Sequence, residues 1–365
     1  MTREPPGVTP RTRRGDMGAL KLSIVVPTRN RRDLLRRTLP TLLHQDLPSD
    51  EYEVVLVSDG SNDGTVDYLA TIVAPVALRV LDRPRGGLAR ARNAGIAAAR
   101  GDVILLMDDD MLCRPTLARE HLAAHVGGAS RVACGPTLTA PESRPGLATE
   151  YARAWYDAYA TRLTHEGHAR SEYDVWVTSN CSAPRALLLA HGGYDEQFLY
   201  SEDAELAIRL WRAGVPFRFL PTAAAHEVYS KSASDVAHAD APRLGVSELQ
   251  LCRKFPEYTP RSLLSSVVGR SRAKVFISWA CATSVVSPDL VLAPPLWALE
   301  RLRRVGVMQR LGMRLLGKRM AAAALRSASH HAGSWAALRR ELKAHAAAAA
   351  GPRASSHPGV QAPLP

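Results

Sequence analysis

Apolar runs at residues 22–26, 54–57, 77–81 and 103–107 are short and stop at polar residues, as buried strands feeding loops do. Helical stretches over 31–44 and 88–100 lie between them. The first third therefore alternates β and α, which predicts an α/β fold with a mostly parallel sheet flanked by helices. In such sheets ligands sit beyond the carboxyl ends of the strands. Polar clusters fall there: Thr28 and Asn30 after the first run, residues 59–63 after the second, and Asp108, Asp109 and Asp110 after the fourth. Three strand ends are expected to converge on one crevice.

Further along, the pattern predicts a helix over 148–161, a strand in YDVWVTS (173–179) and a loop in SNCSAPR. A GGYDEQF turn, a helix over 202–213 and a strand in PFRFL come next. This half reads as an acceptor-side layer on the same domain. Beyond about residue 260 the character changes. An apolar stretch over 275–299 is interrupted by Pro288, Pro294 and Pro295 and carries Asp289, which favours a packed or surface-lying segment over a bilayer span. A basic Ala/Leu/Arg helical region follows. The expected organisation is a basic disordered leader over 1–20, an α/β domain over 21–260, a helical C-terminal extension over 261–350 and a disordered Gly/Pro/Ser tail over 351–365.

Composition changes this picture little. With 46% hydrophobic and 22% charged residues the chain has material for a substantial core, which excludes disorder throughout. A formal charge of +12 favours anionic partners without choosing among nucleotide phosphates, acidic lipid and nucleic acid. The five cysteines are scattered and lack a CxxC spacing, so neither a disulfide framework nor a zinc site is expected. A reducing cytoplasm fits that usage, and the first 18 residues have no apolar core of the kind a secretory signal needs. The basic segment that includes Arg301, Arg303, Arg304, Arg310, Arg314, Lys318 and Arg319 has two readings: a face for an acidic membrane surface, or a solvated helical face packed on the α/β domain.

The densest chemistry is LLMDDDM, where a buried strand runs straight into three carboxylates. Adjacent carboxylates repel unless a cation sits among them, and hard oxygen ligands suit Mg²⁺ or Mn²⁺; the plain alternative is an acidic turn. Asp59, in a Gly- and Asp-rich turn, can accept hydrogen bonds from a nucleotide. Arg90 and Arg92, near the start of a helix, can bind phosphate or merely be solvated. In SEDAEL, Ser201 is expected to cap a helix whose first turn carries Glu202 and Asp203. Those carboxylates suit either the helix dipole or a general base. His226, by residue type alone, is an ordinary loop histidine.

In this order, SIVVPTRNR, VSDGSNDGT, RARNAG, LLMDDDM, GGYDEQF and SEDAELAIRLWRAG resemble the family 2 glycosyltransferases of the GT-A fold, over about residues 22–229. The resemblance implies one nucleotide-sugar-binding domain. Pro27, Thr28 and Asn30 would form the first nucleotide loop, Asp59 the base contact, and Arg92 and Asn93 would lie near the nucleotide and diphosphate. Asp108, Asp109 and Asp110 would be the donor-side acids, with Asp110 the direct metal ligand and Asp108 reaching the ribose or the metal through water. Asn180, with Gly192, Gly193, Tyr194 and Asp195, looks like the sugar and acceptor side. Asp203, beside Glu202, resembles the catalytic base, and His226 resembles a histidine that some relatives lend to the metal.

Two departures matter. Ser58 stands where many relatives carry a second acid, and the QxxRW-type motif and long membrane domain of processive relatives are absent. The implied activity is single-sugar transfer, with inversion, from a UDP-, GDP- or dTDP-sugar to an unidentified acceptor, with Mn²⁺ or Mg²⁺ and no nucleic-acid partner. Nucleotidyl transfer would call for a Gly-rich triphosphate loop where this chain has PTRNRR. A non-catalytic nucleotide-sugar binder would need no base.

Overall fold

The computed structural model describes residues 20–128, 130–165, 169–170, 179–267, 276, 279–280, 283 and 288–349. The chain divides into two compact units, one of residues up to 144 with 152–229, the other of 145–151 with the residues from 230 onward.

The first unit begins with the predicted alternation. It runs β1 (Leu22–Thr28), α1 (Arg32–Leu43), β2 (Tyr52–Asp59), α2 (Thr65–Ala70), β3 (Ala77–Arg83), α3 (Leu88–Ala98) and β4 (Val103–Met107). Then come β5 (Met111–Cys113), α4 (Leu117–Ala123), β6 (Val132–Cys134), β7 (Thr137–Thr139), α5 (Leu147–His165, of which 152–165 belong to this unit), β8 (Ala169–Arg170) and β9 (Asn180–Pro184). The series ends with α6 (Arg185–Ala190), α7 (Glu202–Arg212), β10 (Phe217–Phe219) and β11 (Ala225–Glu227). Eight strands form one sheet in the order β3-β2-β1-β4-β9-β6-β10-β8; β5, β11 and β7 form a second. From β3 to β4 every pairing is parallel, and β9 runs antiparallel to both β4 and β6.

The strands are apolar on both faces because both are covered. Ile24, Val26, Val54, Leu56 and Leu105 face Leu35, Leu39 and Leu42 of α1. Val25, Val55, Val57, Ile104 and Leu106 face Ala91 and Ile96 of α3 and Leu206 of α7. The period-two alternation of a strand thus splits one hydrophobic run between two cores.

One expectation about local structure is corrected. SNCSAPR is not a loop: Asn180–Pro184 is a central strand, whose polar residues pair internally while Cys181 and Ala183 fill the core. Within the apolar stretch one helix, Pro288–Arg301, starts at Pro288 and runs through Pro294 and Pro295. The strand expected over 173–179 lies outside the described residues except for Ser179.

The second unit is helical and has its own core. Helix Ala241–Lys254 packs on helix Gly306–His331 and on helix Trp335–Ala349, burying Leu249, Cys252, Leu325, Ala328, Leu338 and Leu342. The first two of these helices approach closely at Gly245, where a Cβ would stand 2.0 Å from the carbonyl oxygen of Ala324. No helix among the described residues is long and apolar enough to cross a membrane.

Candidate functional site

The carboxyl ends of β1, β2 and β4 lie side by side in the sheet, so their terminal residues share one edge. Beyond β1, Asn30 takes a left-handed backbone, φ 53°, and ties two loops together. Its amide donates to Ser61 Oγ at 3.1 Å, and its side-chain oxygen accepts from the Asn62 amide at 2.9 Å. Asp59, at the end of β2, accepts from the amides of Gly86 and Gly87 at 2.6 and 3.1 Å, just ahead of α3. Asp59, expected from the resemblance to contact a base, here holds the β3–α3 loop.

Beyond β4 the three aspartates diverge. Asp109 turns toward β1 and accepts from the Thr28 hydroxyl at 2.7 Å, with Arg31 3.8 Å away, while its carbonyl accepts from Thr38 of α1 at 2.7 Å. Burial pushes its carboxyl up to about 6, opposed by the Thr28 hydrogen bond and Arg31. Asp108 accepts from Arg92 Nη2 at 2.7 Å. Asp110 lies well above the ordinary carboxylate range, first from burial and then from the charges of Glu227, Asp109 and Asp108. Its carbonyl accepts from the Val228 amide at 2.8 Å, which fixes the end of β11 against this strand end.

Arg92 joins the two halves of the unit. It is 3% exposed, donates to Asp108 through Nη2 and to Glu202 through Nη1, and lies over the Tyr194 ring 5.5 Å from its centroid. Burial acts to strip its proton, and the carboxylates of Asp108 and Glu202 more than offset that, so the guanidinium stays charged. Glu202 is turned inward and 4% exposed; burial raises its carboxyl, Arg92 opposes the rise and Asp203 adds to it. Asp203, next along α7, is only partly buried and accepts from the Ala204 amide at 2.8 Å. Ser201 does not act as the expected cap, since its backbone is left-handed (φ 55°) and its side chain makes no capping bond. Arg92 in this arrangement is a carboxylate bridge rather than a free phosphate ligand.

Asn93 clasps the GGYDEQF loop. Its side chain donates to the Tyr194 carbonyl at 2.9 Å and accepts from the Tyr194 amide at 2.8 Å. Gly193 sits at φ 64° directly against it, Gly192 precedes it at φ 74°, and Asp195 accepts from the Gln197 amide at 3.0 Å. Asn180, expected on the acceptor side, is wholly buried. Its side chain donates to the carbonyls of Pro136 and Ala223 and pairs with His121 Nε2 at 2.9 Å, so it braces the sheet instead of facing a ligand. Burial holds His121 neutral, at about 4.

His226 is not brought together with Asp108 and Asp110 as a ligand set. Along β11, His226 stands opposite Leu112 and Glu227 opposite Met111, and neighbouring side chains on a strand point to opposite faces. Glu227 is the one whose charge acts on Asp110, and it accepts from the Tyr156 hydroxyl of α5 at 2.5 Å. Among the described residues no three His, Cys, Asp or Glu side chains gather at a metal-holding point. With Asp109 turned to Thr28, Asp108 and Asp110 remain as a two-carboxylate platform. That fits Mg²⁺ or Mn²⁺, which commonly take one or two carboxylates and complete their shell with water and substrate phosphates.

Thr38, Tyr156 and Glu227 belong to no motif in the sequence. Only Glu227 carried a signal, as the acid adjoining His226 after the PFRFL strand.

Residues 23–183 match a family model described as glycosyl transferase family 2. Over 221 residues the chain is 32% identical to a validoxylamine A glucosyltransferase of Streptomyces hygroscopicus subsp. jinggangensis (strain 5008), covering 53% of this chain and 52% of that protein. The chain thus spans about half the length of the curated relatives it matches in this way. Among solved structures it is similar to mannosyltransferase PcManGT from Pyrobaculum calidifontis in complex with GDP-Man and Mn²⁺. The TM-score is 0.55 at 21% identity, over 84% of this chain and 86% of that one. It is also similar to Staphylococcus aureus TarS 1–349 in complex with UDP, at a TM-score of 0.51 and 16% identity over 86% and 92%. At these identities the likeness is one of fold.

Proposed function

The chain belongs to the glycosyl transferase family 2 through residues 23–183, and from that premise we propose that it moves a single sugar from a nucleotide-diphosphate donor to an acceptor hydroxyl or amine. One observation carries the reading. Arg92 ties Asp108, at the end of β4, to Glu202, the neighbour of Asp203 at the start of α7, which supports one site shared by the two elements.

In this reading the nucleotide lies over the ends of β1 and β2. Asp59 spends lone pairs on two loop amides, but a carboxylate has about four acceptor sites, which leaves capacity for a base N–H. Thr28 and Asn30 shape the loop beneath. Asp110, with Asp108, would hold Mn²⁺ or Mg²⁺, and the cation bound there supplies positive charge against the leaving diphosphate. Asp203 accepts the acceptor's proton as its oxygen or nitrogen attacks the anomeric carbon from the face opposite the diphosphate, so configuration inverts. Glu202, locked to Arg92, positions that turn of α7. Tyr194 and Gly193, held by Asn93, flank the sugar side.

The Asp203→Asn variant tests the base assignment. It keeps the shape of the side chain and removes its basicity, so turnover should fall by roughly 100-fold or more while donor binding persists. Near-normal turnover of a folded variant would contradict it. The likeness to a validoxylamine A glucosyltransferase at 32% identity makes validoxylamine A, with glucose-bearing donors, the first acceptor to try.

A further inference from the structure

Among its described residues, the second unit presents a surface that their packing does not use. Leu296, Leu299 and Leu316 are buried, yet Trp297, Leu302, Val305, Val307 and Leu311 are 45–61% exposed around the turn between helices Pro288–Arg301 and Gly306–His331. Cations rim these residues. Arg301, Arg304, Arg310, Arg314 and Lys318 are all exposed, and the last three recur every fourth residue, forming one stripe along the helix. From residue 301 to 319 there is no Asp or Glu. The nearest acid along the chain, Glu300, accepts from the Leu147 amide at 3.1 Å and lies 3.6 Å from Arg303. The Arg301 guanidinium lies 3.6 Å from the Trp297 ring centroid, joining an apolar ring to a charge at the tip of the turn.

An occupant of this face must be apolar and anionic together. A second copy of the chain would bring the same cations against them and be repelled. A nucleic acid would satisfy the arginines and leave the exposed tryptophan, leucines and valines in water. An anionic phospholipid surface offers phosphates at the depth of the guanidinium groups and acyl chains just below. We propose that this turn and the basic stripe beside it dock the second unit onto an anionic phospholipid bilayer, lying on it rather than crossing it. The inference rests on the second unit alone and stands whether or not the glycosyl-transfer reading holds.

Sedimentation of the full chain with vesicles tests it, using phosphatidylcholine alone and the same lipid with about a third replaced by phosphatidylglycerol. The protein should pellet with the anionic vesicles, stay in solution with the neutral ones and be released by high salt. Replacing Arg301, Arg304, Arg310 and Arg314 by glutamine should lower the partition coefficient by about 100-fold or more. A second variant, with Trp297→Ala, Leu302→Ser, Val305→Ser and Val307→Ser, should lose the binding that survives moderate salt. All eight positions are exposed, and unchanged thermal melting would show both variants folded. Equal recovery of the wild type in solution with both vesicle types would overturn the proposal. So would binding that neither variant weakens, or a dimer that Leu302→Ser and Val305→Ser dissociate while no vesicle is bound.

Discussion

Replacing Arg92 by methionine keeps much of the side chain's bulk over Tyr194 and removes the charge between Asp108 and Glu202. Glu202 is 4% exposed, and water cannot take the place of the guanidinium. Removing one partner of a buried pair costs about 3–5 kcal/mol, because the remaining charge is stranded. Asp108, whose side chain is 35% exposed, adds less to that penalty. The cost should depend on pH with a definite sign. Burial already raises the Glu202 carboxyl while Arg92 opposes the rise; without Arg92 the folded-state value climbs further above the unfolded one. A raised carboxyl favours the folded state at low pH and loses that contribution as pH rises through the folded value. The variant should therefore be penalised more at about pH 8 than at about pH 5. Adding Glu202→Gln should recover about 2 kcal/mol or more. Denaturant-dependent hydrogen exchange at the amides of β4 and α7 reads this unit separately from the helical one. A penalty under about 1 kcal/mol, flat with pH and unimproved in the double variant, would refute the bridge as an energetic element.

Asp109→Asn keeps the acceptor for Thr28 and removes a carboxyl that burial raises to about 6. The wild type should lose more stability than the variant as pH rises from about 4 to about 6, leaving the variant up to about 3 kcal/mol more stable above that range in the presence of chelator. Gly193→Ala places a Cβ 2.5 Å from Asn93 Oδ1 at φ 64°. It should cost about 1–3 kcal/mol, and the double variant with Asn93→Ala should cost less than the sum of the two, as equilibrium unfolding would show. Tyr156→Phe removes the hydroxyl that donates to Glu227 and should cost about 1.5–3 kcal/mol by the same assay.

The shared sheet edge beyond β1, β2 and β4 was largely legible in the sequence because each of its polar groups follows a buried run. A run ending at Asp59 and another ending at Asp108 place both acids at one sheet edge once the βαβ alternation is recognised. What stayed hidden depends on distance along the chain or on direction in space. Nothing local tells that Arg92 turns inward to an acid 110 residues away, where a solvated or phosphate-binding arginine was the natural reading. Asn180 and Ser182 read as loop residues because the histidine network that satisfies their polarity is supplied by α4. Tyr156 carries no mark separating it from a core aromatic of α5. At β11 a one-residue step changes the face, so Glu227 and not His226 acts on Asp110, and a motif without a register cannot decide between them.

The most direct measurement is nucleoside diphosphate release by the purified full chain from UDP-, GDP- and dTDP-sugars, with Mn²⁺, with Mg²⁺ and with chelator, beside Asp110→Ala. The account predicts cation-dependent release from one donor, abolished by the substitution. Failure to bind or cleave any donor under every condition, by a protein shown to be folded, would contradict it.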